Sequence, residues 1–265
     1  MATIHLSELV AKQFGLTDQE AIGVIMAGRV WIGEIPADKP GMPISDDTVL
    51  TLREKAKKYA SRSGYKLEKA LAVFDVDPKD KVVCDIGASN GGFTDCLLQN
   101  GARRVFAVDV AYGILAWELR SDERVTVLER TNARNLTAEQ LQAVCDMVTI
   151  DVSFISLTKI FPAVDRVLSD EGDCVCLIKP QFEAPKKALG KNGILKDPSI
   201  LPDLFLSIAA GAAENRLYLK DMSISPIHGT NGNVEYLAHF GRTLQLTESE
   251  MDALVHTTAA LTPDD

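Results

Sequence analysis

The spacing of apolar positions changes character part-way along the chain. Up to about residue 52 they recur at helical intervals, over 6–14 and again over 18–27, where Thr17 and Glu20 have the spacing of a capping box and Gly28 supplies the stop. Extended stretches follow at 29–33 and 48–52, separated by Pro36, Pro40, Gly41 and Pro43. Two helices and a few short strands are too little to fold robustly alone, so this part is expected to decorate a larger domain. From residue 81 the pattern becomes short runs that are apolar throughout and rich in Val and Ile, at 81–87, 104–110, 125–131, 146–154 and 173–180. Helical segments separate them, near 93–100, 112–121, 137–144 and 157–169. Continuous apolar strands alternating with helices predict a parallel sheet covered on both faces, an α/β fold. A long helix at 198–215 precedes two further strands, 217–224 and 234–244, which Pro, Gly and Asn turns should join as an antiparallel hairpin. The tail 247–261 reads as a helix with a second capping box, Thr247 and Glu250.

The length of 265 residues suits one sizeable α/β domain with an appendage, or two small domains. Apolar residues make up 46% and charged residues 25%, a mix that excludes disorder and fibrous repeats. No apolar run approaches the roughly 18 residues of a membrane span, and residues 1–5 show no export signal. The five cysteines form no C-x-x-C pair and the four histidines are scattered, so neither a disulfide framework nor a metal site is expected. A soluble, reduced, cytoplasmic protein is the expectation. The net charge of −9 argues against indiscriminate nucleic-acid binding. Locally the balance reverses: residues 53–69 hold Arg53, Lys55, Lys57, Lys58, Arg62, Lys66 and Lys69 against Glu54 and Glu68. Such a run is either a solvated helix face or a surface for phosphates.

The strongest local signal is the glycine-rich turn from Asp85 to Phe93, between the first parallel strand and its helix. Its glycines, Gly87, Gly91 and Gly92, let a ligand approach the backbone and the free N–H groups of a helix start. The spacing is Gly-x-x-x-Gly-Gly, not the dinucleotide G-x-G-x-x-G. Asp109 ends the second strand, where a carboxylate can accept both hydroxyls of a ribose. Together they favour a nucleoside-containing cofactor and resemble the S-adenosylmethionine-dependent methyltransferases. The end of the fourth strand, Asp151-Val152-Ser153-Phe154, matches the Asn/Asp-Pro-Pro-Tyr/Phe of amine methylation poorly, keeping only the Asp and the Phe. A cytosine-C5 enzyme needs a nucleophilic cysteine, but Cys145, Cys174 and Cys176 read as buried structural residues. A hydroxyl acceptor remains. Lys179 then ends an apolar strand beside Asp151, at the sheet edge where open α/β folds bind ligands; the alternative is a salt bridge that only closes the sheet.

Long stretches carry a specific resemblance: SRSGYKLEKAL, DIGASNGGFTDCLLQNGARRVFAVDVAYGILAWELR, VLERTNARNL, DVSFISL, IKPQFEA and GNVEYL. Nearly the whole chain resembles the TlyA family, historically haemolysin A, of ribosomal-RNA 2′-O-methyltransferases, whose catalytic domain is FtsJ-like. The resemblance implies a Rossmann-like class I fold with a seven-stranded, mostly parallel sheet and its last strand antiparallel. It implies a tetrad Lys66, Asp151, Lys179 and Glu235, and S-adenosyl-L-methionine contacts at Asp85, Gly87, Ser89, Gly91, Gly92, Phe93, Asp109, Asn132 and Ala133. Residues 1–58 resemble, divergently, the αL RNA-binding module of ribosomal protein S-four type; 59–80 would be a basic linker and first helix, 81–246 the methyltransferase domain and 247–265 a helical tail. The implied partner is ribosomal RNA within ribosomal subunits, with cytidine as the nucleotide, and the basic residues Arg53, Lys55, Lys57, Lys58 and Arg62 as phosphate contacts. A base N-methyltransferase and a catalytically silent RNA-binding protein stay open as alternatives. A membrane-lytic protein would need an apolar or amphipathic membrane element, which is missing.

Overall fold

The computed structural model describes residues 3–26, 29–33, 35–37, 39–53, 58–229 and 232–262. The chain divides into two compact units, Met1–Lys58 and Tyr59–Asp265.

In the smaller unit, helix α1 (Leu6–Phe14) buries Leu6, Leu9 and Val10, one face at i, i+3, i+4 spacing. Gly15 ends it at φ 65°, in the left-handed region that glycine tolerates without a Cβ clash. Helix α2 (Asp18–Met26) opens with the capping box: the Thr17 N–H donates to Glu20 (2.8 Å) and the Glu20 N–H to Thr17 Oγ1 (3.3 Å). The stop assigned to Gly28 lies outside the described residues. Strands β1 (Thr3–His5) and β4 (Pro43–Ser45) pair antiparallel, and β2 (Val30–Ile32) lies between β3 (Ile35–Pro36) and β5 (Thr51–Leu52). The sequence pattern missed β1, β3 and β4, because two or three residues show no period and β4 starts within the proline-rich stretch.

The larger unit starts with α3 (Gly64–Val73) and contains β6 (Val82–Ile86), α4 (Gly92–Gln99), β7 (Arg104–Val108), α5 (Trp117–Arg120), β8 (Val125–Leu128), α6 (Ala138–Leu141), β9 (Cys145–Ile150), α7 (Phe161–Val167), β10 (Leu168–Ile178), α8 (Pro180–Glu183), α9 (Leu201–Ala213), β11 (Tyr218–Ile224), β12 (Tyr236–Gly241) and α10 (Glu248–Ala259). Its seven-stranded sheet has the order β11-β12-β10-β9-β6-β7-β8, parallel except for β12, which runs antiparallel to both neighbours. Both faces are covered. Phe106, Phe161, Phe205 and Phe240 fill one side, while Leu67, Phe93, Leu97 and Met147 fill the other. That double burial is why strands such as Val82–Ile86 show no polar alternation.

Several elements are shorter or longer than their patterns predict. The helix expected at 112–121 shrinks to α5, because Gly113 takes φ 73° and the Ala116 N–H donates to the Asn90 carbonyl. Gln142, at φ 52°, stops α6 early. Strand β10 begins at Leu168, inside the expected helix; Leu168 pairs with Cys145 before the ladder loses register and resumes at Asp173. The final hairpin is antiparallel but has a long connection, 225–235, closed at its base by the Ser225 N–H on the Glu235 carbonyl. No helix among the described residues is long and apolar enough to cross a membrane.

Candidate active site

The parallel strands deliver their carboxyl ends to one edge, and the register there decides which side chains meet. Asp151 leaves β9 with its N–H on the Ile86 carbonyl, next to Gly87. A Cβ on Gly87 would lie 2.4 Å from the Asp151 carbonyl oxygen, so only glycine lets β6 and β9 come this close. Lys179 follows β10 as the residue capping α8. Ile178 pairs with Tyr236, so the same antiparallel register puts Lys179 opposite Glu235.

Two lysine–carboxylate couples form at this edge. Lys179 Nζ stands 2.6 Å from Asp151 Oδ1. That approach is an ion pair without an aligned hydrogen bond, since Oδ1 has no hydrogen-bond partner, and Lys179 donates instead to Ser153 Oγ at 3.1 Å. Lys66, on α3, donates to Glu235 Oε2 at 2.5 Å, with both side chains almost wholly buried. The Glu235 carboxylate fits because Gly229 lacks a side chain; a Cβ there would lie 2.1 Å from Oε1.

Beside Asp151 lies a cavity of about 300 Å³, walled by Gly87, Ser89, Asp109, Asn132, Ala133 and the loop after β9. Asp109 is held with both oxygens over the glycine turn, accepting the Ser89 N–H on Oδ2 and the Ala111 N–H on Oδ1, each at 2.8 Å. Ser89 reaches it only by adopting φ 50°, a strained value for a residue with a Cβ. Carboxylate oxygens retain further lone pairs, so Asp109 can still accept ribose hydroxyls. Asn132 Oδ1 accepts from the Arg134 N–H at the start of the turn that carries Ala133. The residues suit a nucleoside: a carboxylate for a diol and apolar walls, Val110, Ile114 and Ile155, for a flat ring.

Four of the residues expected to hold a cofactor do not line this cavity. Asp85 is fully buried; its oxygens accept the Thr94 and Thr149 hydroxyls at 2.6 and 2.9 Å. Burial pushes its carboxyl up to about 6, against the pull of those hydroxyls, and the charge of Asp151 adds to the rise. Phe93 is packed in the core. Gly91, at φ 97°, faces Leu115 and Leu119, and the space beside Gly92 is taken by the Ser61 and Ser63 hydroxyls. These four shape the turn from behind. Spacing could not separate them from Gly87 and Ser89, which differ only in the face they present.

Of the basic segment, Arg53 is committed within the smaller unit, donating to the Gly33 carbonyl (3.0 Å) with its guanidinium 4.6 Å from the Trp31 ring centre. Lys55 and Lys57 lie outside the described residues. Lys58 and Arg62 are exposed, and Lys66 is buried in its ion pair. Sequence reading missed Ser153 and Gly229, and gave Phe154 no role in the site. Phe154 is 90% exposed at φ 65°, with its ring centre 4.8 Å from that of Phe182 on α8. In the sequence it shows only as the aromatic kept from the amine-methylation motif; the unusual backbone and the exposure come from the structure. All five cysteines are free and buried, and burial raises the Cys174 thiol to about 12, which removes it as a nucleophile.

Residues 59–242 match the family model described as FtsJ-like methyltransferase. The chain belongs to that family. FtsJ-like enzymes are methyltransferases. Among curated relatives, the Bacillus subtilis protein YqxC, named as a candidate rRNA methyltransferase, is 47% identical over 87% of this chain and 83% of its own. The 16S/23S rRNA (cytidine-2′-O)-methyltransferase TlyA of Mycobacterium tuberculosis is 43% identical over 87% of this chain and 86% of its own. A solved structure from Streptococcus thermophilus, described as a candidate hemolysin, superposes with a TM-score of 0.73 at 40% identity and covers 97% of this chain and 96% of that one. The FtsJ-like part thus begins at the first residue of the larger unit.

Proposed function

We propose that this methyltransferase binds S-adenosylmethionine in the cavity beside Asp109 and methylates the ribose 2′-hydroxyl of a cytidine in ribosomal RNA, acting on ribosomal subunits in the cytoplasm. The observation that carries the reading is the Lys179–Asp151 couple, whose carboxylate residue lines a nucleoside-sized cavity, with the Lys66–Glu235 couple at the same sheet edge. The printed activity of the TlyA relative supplies the nucleotide and the polymer. When bound, S-adenosylmethionine supplies an electrophilic methyl group on a sulfonium.

A ribose hydroxyl is a very weak acid, so it needs an oriented hydrogen bond or a base at the moment of attack. Lys179 is the residue assigned to that oxygen, with Asp151 holding the lysine. Lys66 and Glu235 hold the ribose from the other side. Bound cofactor would supply the methyl carbon and the sulfur that leaves with the bond's electrons; Lys179, as an ammonium, directs an N–H to the attacking oxygen, and Asp151 of the same couple is the group that takes the hydroxyl proton. Much of the acceleration is then proximity, an in-line oxygen held against the methyl carbon. Phe154 gives an exposed aromatic face near the mouth, and unpaired bases in RNA are commonly held by stacking on such rings. Residues 1–58 are assigned to RNA shape recognition as an S-four type module.

The test is methyl transfer to ribosomal subunits that lack the modification, followed by mass spectrometry of the nucleosides. The wild-type protein should yield 2′-O-methylcytidine. Lys179→Ala should abolish transfer and keep the cofactor affinity within about threefold, since its contacts are with the acceptor. A methyl group on the base, or an active Lys179→Ala enzyme, rejects this mechanism.

A further inference from the structure

The loop after β9 and the short helix α8 are fastened together at three separate points. Lys179, at the start of α8, meets Asp151 and Ser153. Phe182 meets the ring of Phe154. Glu183 Oε1 accepts the Leu157 N–H at 2.8 Å, and burial raises this carboxyl above its ordinary range. Between these fastenings the loop turns through Phe154 at φ 65°, a left-handed conformation that a bulky residue adopts only when its surroundings impose it. Val152, Ser153, Phe154 and Ile155 of the same loop form one wall of the cavity. One short segment therefore touches the cofactor cavity on one side and the acceptor lysine on the other.

Ser153 is the residue at which the two functions meet. A lysine ammonium has three N–H bonds and no preferred plane, so a single carboxylate partner leaves it free to swing around the ion pair. Asp151 alone would do this, because its oxygen approaches Lys179 without an aligned hydrogen bond. The hydroxyl of Ser153 accepts an N–H from a different direction. With the Cε–Nζ bond already in place, that one aligned N–H fixes the rotation of the ammonium and so the direction left for the ribose oxygen.

We infer that Ser153 is a positioning residue: its hydroxyl fixes the direction in which Lys179 meets the acceptor oxygen and refers that direction to the wall of the cofactor cavity. The inference rests on the ribose-methylation reading and adds a residue to it. The hydroxyl contributes orientation and not cofactor affinity, so its loss should appear in turnover. Ser153 is exposed and caps no helix, so replacing it should leave the fold intact.

The experiment compares wild type, Ser153→Ala and Ser153→Thr on unmodified ribosomal subunits. Measured are kcat, the KM for subunits, the cofactor Kd by calorimetry and the melting temperature. A hydrogen bond to a charged group, lost only where orientation matters, corresponds to about a 10- to 100-fold fall in kcat for Ser153→Ala. KM, Kd and melting temperature should stay within error of wild type, and Ser153→Thr, which keeps the hydroxyl, should recover most of the rate. An unchanged kcat overturns the inference. So does a fall in kcat matched by weaker cofactor binding or a lower melting temperature, because that pattern belongs to a structural residue. So does a threonine variant as slow as the alanine one. If the wild-type protein makes no ribose-methylated nucleoside, the functional reading fails; if it does and Ser153→Ala keeps pace, only the role of Ser153 fails.

Discussion

Lys66 and Glu235 form a couple with almost no access to water, and the energetics of such a pair are lopsided. Removing both charges can be nearly neutral, whereas removing one leaves the other buried and unpaired. Glu235→Ala should therefore lower stability by about 3 kcal/mol in urea titrations. A Lys66→Met, Glu235→Leu double variant should regain most of that loss while staying inactive. Asp85 provides the pH-dependent counterpart. Its carboxyl is pushed up to about 6 in the folded protein, above the ordinary aspartate value of about 3.9, because burial disfavours the charge. The folded state thus binds the proton more tightly, and the stability this contributes is full below pH 4 and lost as pH rises through 6. Asp85→Asn carries no such charge. The stability of wild type relative to Asp85→Asn should fall between pH 4 and pH 7 by at most about 3 kcal/mol. A pH-independent difference would show that the Thr94 and Thr149 hydroxyls satisfy the charge completely.

At the scale of elements, the site depends on how closely the ends of neighbouring strands can approach. Gly87 sits at φ 86° with the Asp151 carbonyl against its α-carbon. Gly87→Ala meets both obstacles: a left-handed backbone that costs an L-residue about 1–2 kcal/mol, and a collision that pushes the end of β9 outward. Asp151 moves with that end and Lys179 loses its partner. We expect a loss of about 2 kcal/mol in stability and a fall of about 100-fold in turnover, since small misplacements of reacting groups are that costly. Chemical denaturation and single-turnover rates on the same preparation check both figures. Gly229 plays a similar part for Glu235, clearing room for a carboxylate. Neither role is visible as a glycine-rich motif; Gly87 belongs to one and Gly229 does not.

At the scale of the molecule, the question is where RNA phosphates are held. The protein carries a net charge of −9, so contacts must be local. The basic segment from Arg53 to Lys69 was the natural candidate, but Arg53 and Lys66 are engaged elsewhere. The loop after the acceptor lysine adds Lys186, Lys187, Lys191 and Lys196, all exposed. Each phosphate neutralised releases counterions and steepens the salt dependence of binding. Replacing Arg53, Lys55, Lys57 and Lys58 by Gln should flatten that slope, and replacing the four loop lysines should flatten it further. Deleting residues 1–52 should weaken binding to folded RNA while sparing both the slope and the cofactor affinity. A deletion that removes most of the salt dependence would place the phosphate contacts within residues 1–52. The α/β class, the strand–helix alternation of the larger unit and both capping boxes follow from the sequence alone, because apolar period and local hydrogen bonding are properties of neighbouring residues. The four residues of the proposed tetrad are named by resemblance, since its motifs are long. Tertiary structure alone decided the rest: that Asp85, Gly91, Gly92 and Phe93 stand behind the cavity while Gly87 and Ser89 face it, and that Ser153 joins Lys179. Those distinctions depend on which way a side chain points where strands from distant parts of the chain end together, and no period along the sequence encodes that direction.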